Sequence, residues 1–552
     1  MARRSLVRKY RSPIMSWRRF RSRESDPLPE PGASGYAWPP ICALIAFTAS
    51  HSLIAASISP ALMPSIRRSI GLSLFERYAS ITLSLISFVV IARLLTPNDI
   101  GLYSLAVAVI GMAQVVRDFG VVTYLIQETE LTAARIRTAF GITCVLSIVL
   151  FVVAVAVAPW AGRFYNDARL EGVMHVLCIN FLLIPFGSTS MALLRREMRF
   201  GAICIVNLGA SMANFMVALL LAYLGYGYMS LVWGSVASTA VTALLSLYFK
   251  PGDISLLPML VEWRRVLGFG GRVTLTGVIT EVSMNINDLV IGRVLGVTAV
   301  AIASRAQGVM NLMHRDMLGA VANVMFPALS KVRRDGGDLE LVYQRCLATI
   351  SVVAWPFYGF LALFPRDALR LLFGPQWDSA AGLVPWFCLA GAVAVFWKMV
   401  PSLLQAMGRV DLLMRAELLI QPSRIIMLTT IAIMMKSLEA FAAGFALVYF
   451  LCVPVLEYYR RLAMELRPRM FTRPVVQSIL VACATLLVPA AIVIGQNFML
   501  IPQLGSLAFV AICAFAGVTW VFACRILNHP ISQDPAFSFL WNIFSLRGPD
   551  KS

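Results

Sequence analysis

The stretch TEVSMNINDLVIGRVLG, Thr280 to Gly296, sets Glu281, Asn285, Asn287, Asp288 and Arg293 into a run otherwise apolar enough to cross a bilayer. Glu281, Asn285 and Asp288 stand at i, i+4 and i+7, which a helix of 3.6 residues per turn gathers on one stripe. An ionised side chain in hydrocarbon is costly unless a partner or a watery cavity receives it, so the stripe is expected to face the protein interior and to mark a site. Its carboxylates suit the uptake and release of a proton or a sodium ion. Further charges interrupt other apolar runs: Glu76, Arg77, Arg117, Asp118, Arg272, Arg305, Arg315, Asp316, Lys398 and Arg424. With Glu281 and Asp288 that makes seven basic residues against five acidic ones, a surplus that suits an anionic ligand. Arginine binds phosphate well, because its planar fork makes two parallel charge-assisted bonds and keeps its proton. Arg77, Arg117, Arg272, Arg315, Lys398 and Arg424 are therefore candidates for substrate binding, and Glu281, Asn285 and Asp288 for ion coupling. A plainer reading makes Arg117–Asp118 and Arg315–Asp316 ion-pairing residues near helix ends, each bonded to a neighbouring helix. Arg93 and Arg293 read as membrane-interface anchors, and the lone His175 and His314 as packing or interface residues.

The elements that must hold these groups are membrane helices. Of 552 residues, 59% are hydrophobic and 14% charged, and mean hydropathy is +0.78. A soluble domain carries about 25% charged residues. Counting runs of about 20 apolar residues gives fourteen: 72–92, 100–125, 138–158, 172–194, 202–222, 226–248, 266–292, 299–327, 346–364, 381–406, 414–435, 439–458, 474–495 and 504–526. The net charge of +19 lies in short clusters between these runs, which favours a membrane over nucleic acid as the partner. The clusters alternate. Arg135/Arg137, Arg195/Arg196/Arg199, Lys250/Arg264/Arg265, Lys331/Arg333/Arg334, Arg409/Arg415 and Arg460 to Arg473 fall at one end of the bundle. The other end holds only Arg93, Arg163, Arg169, Arg293, Arg366, Arg370 and Lys436. The positive-inside rule makes the arginine-rich end, and both termini, cytoplasmic. Residues 1–62 break the pattern with a basic, Pro-rich tail and the apolar run Ile41 to Leu62. They are expected to be disordered, interfacial, or the product of a wrongly assigned start. The ten cysteines are scattered singly, which suggests neither a metal site nor a disulfide framework.

An internal repeat organises the spans. ARLLTPNDIGLYSLA, Ala92 to Ala106, aligns without gaps at an offset of 200 with GRVLGVTAVAIASRA, Gly292 to Ala306, with identities at Arg93/Arg293, Leu95/Leu295, Ser104/Ser304 and Ala106/Ala306. Arg117–Asp118 echoes Arg315–Asp316 at an offset of 198. Six spans separate the copies, an even number, so both run the same way through the membrane. The expected architecture is an all-α integral membrane protein with two parallel six-helix lobes, 63–250 and 251–465, around a central cavity, two extra helices in 466–526 and a cytoplasmic tail, 527–552.

ARLLTPNDIGLYSLA, NDLVIGRVLG, FPALSKVRRD and LFGPQW together resemble the polysaccharide-transporter branch of the multidrug/oligosaccharidyl-lipid/polysaccharide exporter superfamily, over about Ser65 to Asn528. The resemblance implies export of undecaprenyl-diphosphate-linked oligosaccharide repeat units across the bacterial inner membrane for exopolysaccharide, capsule or lipopolysaccharide. Asp288 matches the aspartate that precedes the family's IGR-LG segment. A flippase working by alternating access is expected, with its prenyl tail in lipid between the lobes, no cofactor beyond a coupled proton or sodium ion, and a polysaccharide polymerase and a chain-length regulator as candidate partners. A cation-coupled multidrug antiporter and a lipid II flippase share the architecture; the basic surplus disfavours the first. A polymerase enzyme is disfavoured because no loop between spans exceeds about 20 residues and no GxSxG, HExxH or nucleotide-binding motif occurs.

Overall fold

Long apolar runs whose polar and turn residues collect at their ends fold as helices. In the computed structural model, which describes residues 63–118, 121–128, 131–250, 257–259, 261, 263, 285–464, 472–499, 505–533 and 537, no strand occurs among the described residues. The elements are α1 (Met63–Leu94), α2 (Pro97–Asp118), α3 (Val121–Gln127), α4 (Ala133–Phe164), α5 (Arg169–Arg196), α6 (Phe200–Tyr223) and α7 (Tyr228–Tyr248), then a helical stretch at 285–294. There follow α8 (Val297–Asn311), a π-helical turn (Leu312–Met317), α9 (Leu318–Arg334), α10 (Leu339–Leu363), α11 (Pro365–Phe373) and a 3₁₀ segment (Pro375–Leu383). The chain continues through α12 (Val384–Ala394), α13 (Val400–Ala406), α14 (Val410–Met435), α15 (Leu438–Ala463), α16 (Arg473–Asn497) and α17 (Ser506–Ile526) to a last 3₁₀ turn (Pro530–Gln533).

Thirteen of the fourteen expected runs fall on these helices, and the seventh is described only from Asn285 onward. Ten helices among the described residues are by themselves long and apolar enough to cross a membrane. The eighth run is interrupted by the π turn at Leu312–Met317. The N-terminal 62 residues, including the basic tail, lie outside the described residues, and the first described helix begins at Met63.

Local chemistry sets the helix ends. At α2, Thr96 and Asp99 form a capping box around Pro97: Asp99 Oδ2 accepts from the Thr96 amide (3.3 Å) and hydroxyl (2.6 Å), and the Asp99 amide donates to Thr96 Oγ1 (3.3 Å). Thr132, Asp338 and Ser437 cap α4, α10 and α15 in the same sense. Pro185, Pro327, Pro356, Pro422 and Pro454 lie inside helices, where a proline removes one backbone hydrogen bond and can kink the helix. Pro385 and Pro401 do not: they stand in the first turns of α12 and α13, where a missing amide proton costs nothing.

Hydrogen bonds between loops respect the alternation of charge. At the arginine-rich end the Arg196 guanidinium donates to the carbonyls of Leu125 (2.9 Å) and Glu128 (2.6 Å), and that of Arg199 to Phe249 (3.2 Å). There too the Arg333 guanidinium donates to Ala406 (3.0 Å), and the Met259 amide to Arg137 (3.2 Å). At the other end Arg169 donates to Asn98 (2.7 Å) and Asn98 to Thr298 (3.1 Å). Met259 and Thr298 thus sit at opposite ends, and the chain changes ends between them. Outward faces carry large apolar side chains, such as Val152, Leu244, Ile426 and Leu487, that a lipid phase would cover.

Packing sorts the helices into two groups. In the first, α6 lies along α7, α4 along α5, α5 on α7 and α1 on α6; Asn207 of α6 donates to Glu76 of α1 (2.8 Å). In the second, α14 pairs with α15, and α12 packs on α15 and α10. Arg460, 1% exposed, ties that group at the arginine-rich end, bonded to Glu340 (2.9 Å) and Glu457 (2.8 Å) with the Tyr343 ring 4.9 Å away. The last pair, α16 and α17, stacks on α10, where Val352, Val481, Val521 and Cys524 form a small core.

That last core closes over His529, which is buried just beyond α17. Its Nδ1 accepts from the Ile531 amide (3.2 Å), so Nε2 carries the proton toward Ser478 Oγ (2.9 Å). Burial pushes its imidazole down from 6.5 to about 4. The unfolded chain takes up this proton near 6.5 and the folded chain only near 4, so the group's contribution is intact above pH 6.5 and lost as pH falls from there toward 4. In thermal melts of the purified protein the midpoint should fall across that window, and His529→Gln should flatten the fall.

Candidate functional site

Two helix ends face each other across the two groups at the arginine-poor end, and each end's orphan carbonyls are met by side chains from the other group. A helix leaves its last four carbonyls without internal partners. Those of α1 are taken by the C-terminal group: Gln376 Nε2 donates to Leu95 O (3.0 Å) and Ala92 O, and Trp377 Nε1 to Ala92 O (2.9 Å). Those of α11 are taken by Arg93 of α1, whose guanidinium donates to Leu372 O (3.3 Å) and Leu371 O. Arg93 and Arg293, expected as interface anchors, therefore reach across the bundle. Arg293 lies with its guanidinium 4.9 Å from the Phe164 ring at the end of α4.

The seam has the pattern of a local two-fold axis. Asn98 and Thr298, equivalent in the repeat at an offset of 200, hydrogen-bond to each other, as residues on such an axis must. Arg93 reaches the helix just beyond the ninth run and Arg293 the end of the third, positions six spans apart. The starts of α2 and α8 approach so closely that a Cβ on Gly101 would stand 2.1 Å from Val297 O, which explains glycine there. One pair breaks the symmetry. Leu105 packs on Gly292, whereas its repeat mate Arg305 is a cation, 7% exposed, sitting 4.1 Å from the Phe88 ring and 5.3 Å from that of Trp377. Arg305 Nε has no hydrogen-bond partner among the described residues. Arg305 thus holds Phe88 of α1 by a cation–π contact across the seam.

Deeper in the C-terminal group lies a second polar cluster. Lys398, in the irregular turn between α12 and α13, places Nζ 3.3 Å from Nε2 of His314, in the π turn. The rings of His314, Trp397 and Tyr449 pack together, with centroids 5.5 to 6.5 Å apart. Arg424 of α14 is close enough for its charge to reach Tyr449. His314, expected as a packing residue, is instead bonded to a charged candidate; nothing in the spacing of residues 314 and 398 announces this.

The remaining candidates are placed less closely together. Arg117 is buried, 6% exposed, in the last turn of α2. Asn285 and Asp288 are half-buried on the stretch 285–294. Arg77 lies on α1 and Arg315 in the π turn, but their side chains, like residues Arg272 and Glu281, lie outside the described residues. Among the described residues no three histidine, cysteine or carboxylate side chains meet as a metal would require. An apolar cavity of about 490 Å³ opens between α10, α11, α16 and α17, lined by Phe360, Leu371, Thr485, Phe509 and Trp520 among others.

Known proteins resemble this chain in sequence and in fold. The lipopolysaccharide biosynthesis protein WzxC of Escherichia coli (strain K12) is 26% identical over 60% of this chain and 68% of its own length. The succinoglycan biosynthesis transport protein ExoT of Rhizobium meliloti (strain 1021) is 24% identical over 57% of this chain and 64% of its own. Among solved structures, the lipid II flippase MurJ in an inward closed conformation superposes with a TM-score of 0.66 at 11% identity, covering 87% of this chain and 99% of that one. An inward-facing multidrug resistance MATE family transporter of the MOP superfamily does so with a TM-score of 0.57 at 16% identity, over 70% and 94%. The chain therefore has the helical transporter fold of those two proteins. The polysaccharide biosynthesis protein family matches residues 90–382, more than half of the sequence and the part that contains both repeats and the seam between them, and the chain belongs to that family.

Proposed function

We propose that this multi-pass membrane protein is a flippase that moves undecaprenyl-diphosphate-linked oligosaccharide repeat units across the bacterial inner membrane, for exopolysaccharide, capsule or lipopolysaccharide synthesis, by alternating access. Two lobes, 63–250 and 251–465, rock about a central cavity, with the arginine-rich end and both termini in the cytoplasm. The observation that carries the reading is the seam: reciprocal capping by Arg93, Gln376 and Trp377 and the Asn98–Thr298 bond pin the lobes together at the arginine-poor end. The π turn of the eighth run stands away from it, and interrupted helices of this kind are where transporters commonly bind substrate. The fold is common to a lipid II flippase and to drug transporters and does not choose between them. The names of the sequence relatives, which concern lipopolysaccharide and succinoglycan, favour polysaccharide. The released glycan would pass to a polymerase and a chain-length regulator.

Because Asn98 and Thr298 touch, the double variant Asn98→Cys/Thr298→Cys should oxidise to a disulfide that holds the outer side shut. In proteoliposomes carrying undecaprenyl-diphosphate-linked oligosaccharide, with Cys483 and Cys513 replaced by serine, oxidation should stop translocation and a thiol reductant should restore it. Unchanged transport in the oxidised protein would show that the seam does not gate.

The prenyl tail, expected in lipid between the lobes, is assigned instead to the apolar cavity between α10 and α17, on the second lobe and the last two helices, whose lining suits an isoprenoid segment. Gly517 lines it, and a Cβ there meets nothing within 4 Å. Gly517→Leu should leave thermal stability unchanged and slow translocation several-fold, measured in the same vesicles; equal rates would place the tail elsewhere.

Asp288, with Asn285 and Glu281, is assigned to ion coupling, since a carboxylate at this depth can be discharged by a proton or a sodium ion. Transport by Asp288→Asn should become indifferent to imposed proton and sodium gradients. A gradient response like that of the wild type would remove it from this role.

A further inference from the structure

We propose that His314, Lys398 and Trp397 form an oxyanion-binding site, resting on the flippase reading above, for either a sugar carboxylate or the diphosphate of the lipid-linked substrate. The first ground is the inventory of donors. A lysine ammonium has donors and no acceptor, so His314 Nε2 accepts the 3.3 Å bond from Lys398 and the proton of the neutral ring stands on Nδ1. His314 is 8% exposed, and its Nδ1 is buried with no hydrogen-bond partner among the described residues. Trp397 Nε1, a donor only, is buried and unpartnered in the same sense. Lys398 makes no ion pair among the described residues. The carboxylate whose charge reaches it, Glu417 on α14, accepts instead from Gln421 Nε2 (2.7 Å). Beyond the one bond from Lys398 to His314 Nε2, the cluster therefore offers ammonium protons, an imidazole N–H and an indole N–H for which the described residues show no acceptor. A group with several anionic oxygens completes it, and charge-assisted bonds of this kind are the strong ones.

The second ground is the backbone. Lys398 stands in the non-helical turn of residues 395–399 between α12 and α13, and His314 in the six-residue π turn Leu312–Met317. Irregular backbone at membrane depth is tolerated where it is buried in protein or lines a watery cavity, and π turns within α-helices occur often at functional sites. Two such breaks face each other here, and their side chains meet. The Trp397 and Tyr449 rings, 5.5 Å apart, wall the pair and lower the local dielectric. Arg424 adds a second positive charge facing Tyr449 from α14. His314 stands at the middle of the run 299–327 and Lys398 somewhat past the middle of 381–406 toward its arginine-rich end, near the depth at which transporters commonly bind substrate.

The experiment measures binding to purified full-length protein in nanodiscs with two probes, undecaprenyl diphosphate without sugar and a free trisaccharide bearing glucuronate. Lys398→Gln and His314→Gln should each weaken one of the two by about tenfold or more, the loss expected for a charge-assisted bond, and leave the other within about twofold as proof of folding. Loss confined to the trisaccharide assigns the site to the sugar carboxylate, and loss confined to undecaprenyl diphosphate assigns it to the head group. Retention of both affinities in both variants overturns the site. A wild-type protein that binds the probes yet translocates no lipid-linked glycan would sink the transport reading while leaving the site standing.

Discussion

A helix that ends inside or at the edge of a membrane protein must find donors for its last carbonyls, because little water is there to supply them. In this chain α1 and α11 find them in each other's half of the bundle, through Gln376 and Trp377 in one direction and Arg93 in the other. The positive charge of Arg93 at a helix C-terminus is also favoured by the helix dipole. These bonds hold the two groups of helices in register at one end. The approach of Gly101 to Val297, the Asn98–Thr298 bond and the place of Arg305 among Phe88 and Trp377 follow from that register.

Such a junction is strong in sum yet made of separable parts. Each bond is a side chain on a carbonyl, or a cation over a ring, and each can be exchanged for water when the ends part. Burial at the seam combines small residues at close approach with apolar contacts, since Val297 and Leu289 pack into the core of the first group beside Leu102, Leu105 and Val173. At the arginine-rich end Arg196 and Arg199 bond within one group and Arg333 and Arg460 within the other, while the Met259 amide, ahead of the seventh run, donates to the Arg137 carbonyl. Rigid halves joined at one end by reversible polar contacts are what rocking requires.

Periodicity and charge made much of this legible. The apolar runs placed the helices to within a few residues, because twenty consecutive apolar residues have one stable outcome in lipid. The alternation of arginines placed the loops, and the hydrogen bonds between them agree. The offset of 200 between ARLL and GRVL anticipated that the two copies would be related, and Asn98 and Thr298 then proved to touch. What spacing could not show was which side chain meets which across the bundle. Arg93 and Arg293 look like interface anchors because they follow spans, and both are exposed; only tertiary packing shows that each also reaches the other half. His314 looks like filler because its partner is Lys398, 84 residues away on a different helix. The breaks at 312–317 and 395–399 left little trace either, since neither holds a proline or glycine and the side chains there fit an α-helix as well as a turn. For Glu281 and Arg272, which lie outside the described residues, the reading stays at the level of the helical stripe.

The claim on which the account rests is that the seam is the closed outer gate of a two-state transporter. Pairs of spin labels at Tyr226→Cys and Lys436→Cys, at the arginine-poor end, and at Glu197→Cys and Asp411→Cys, at the arginine-rich end, would report both ends by pulsed dipolar spectroscopy in nanodiscs. On adding undecaprenyl-diphosphate-linked oligosaccharide, the first distance should lengthen while the second shortens. Distances that stay fixed, or that change in the same direction at both ends, would contradict it.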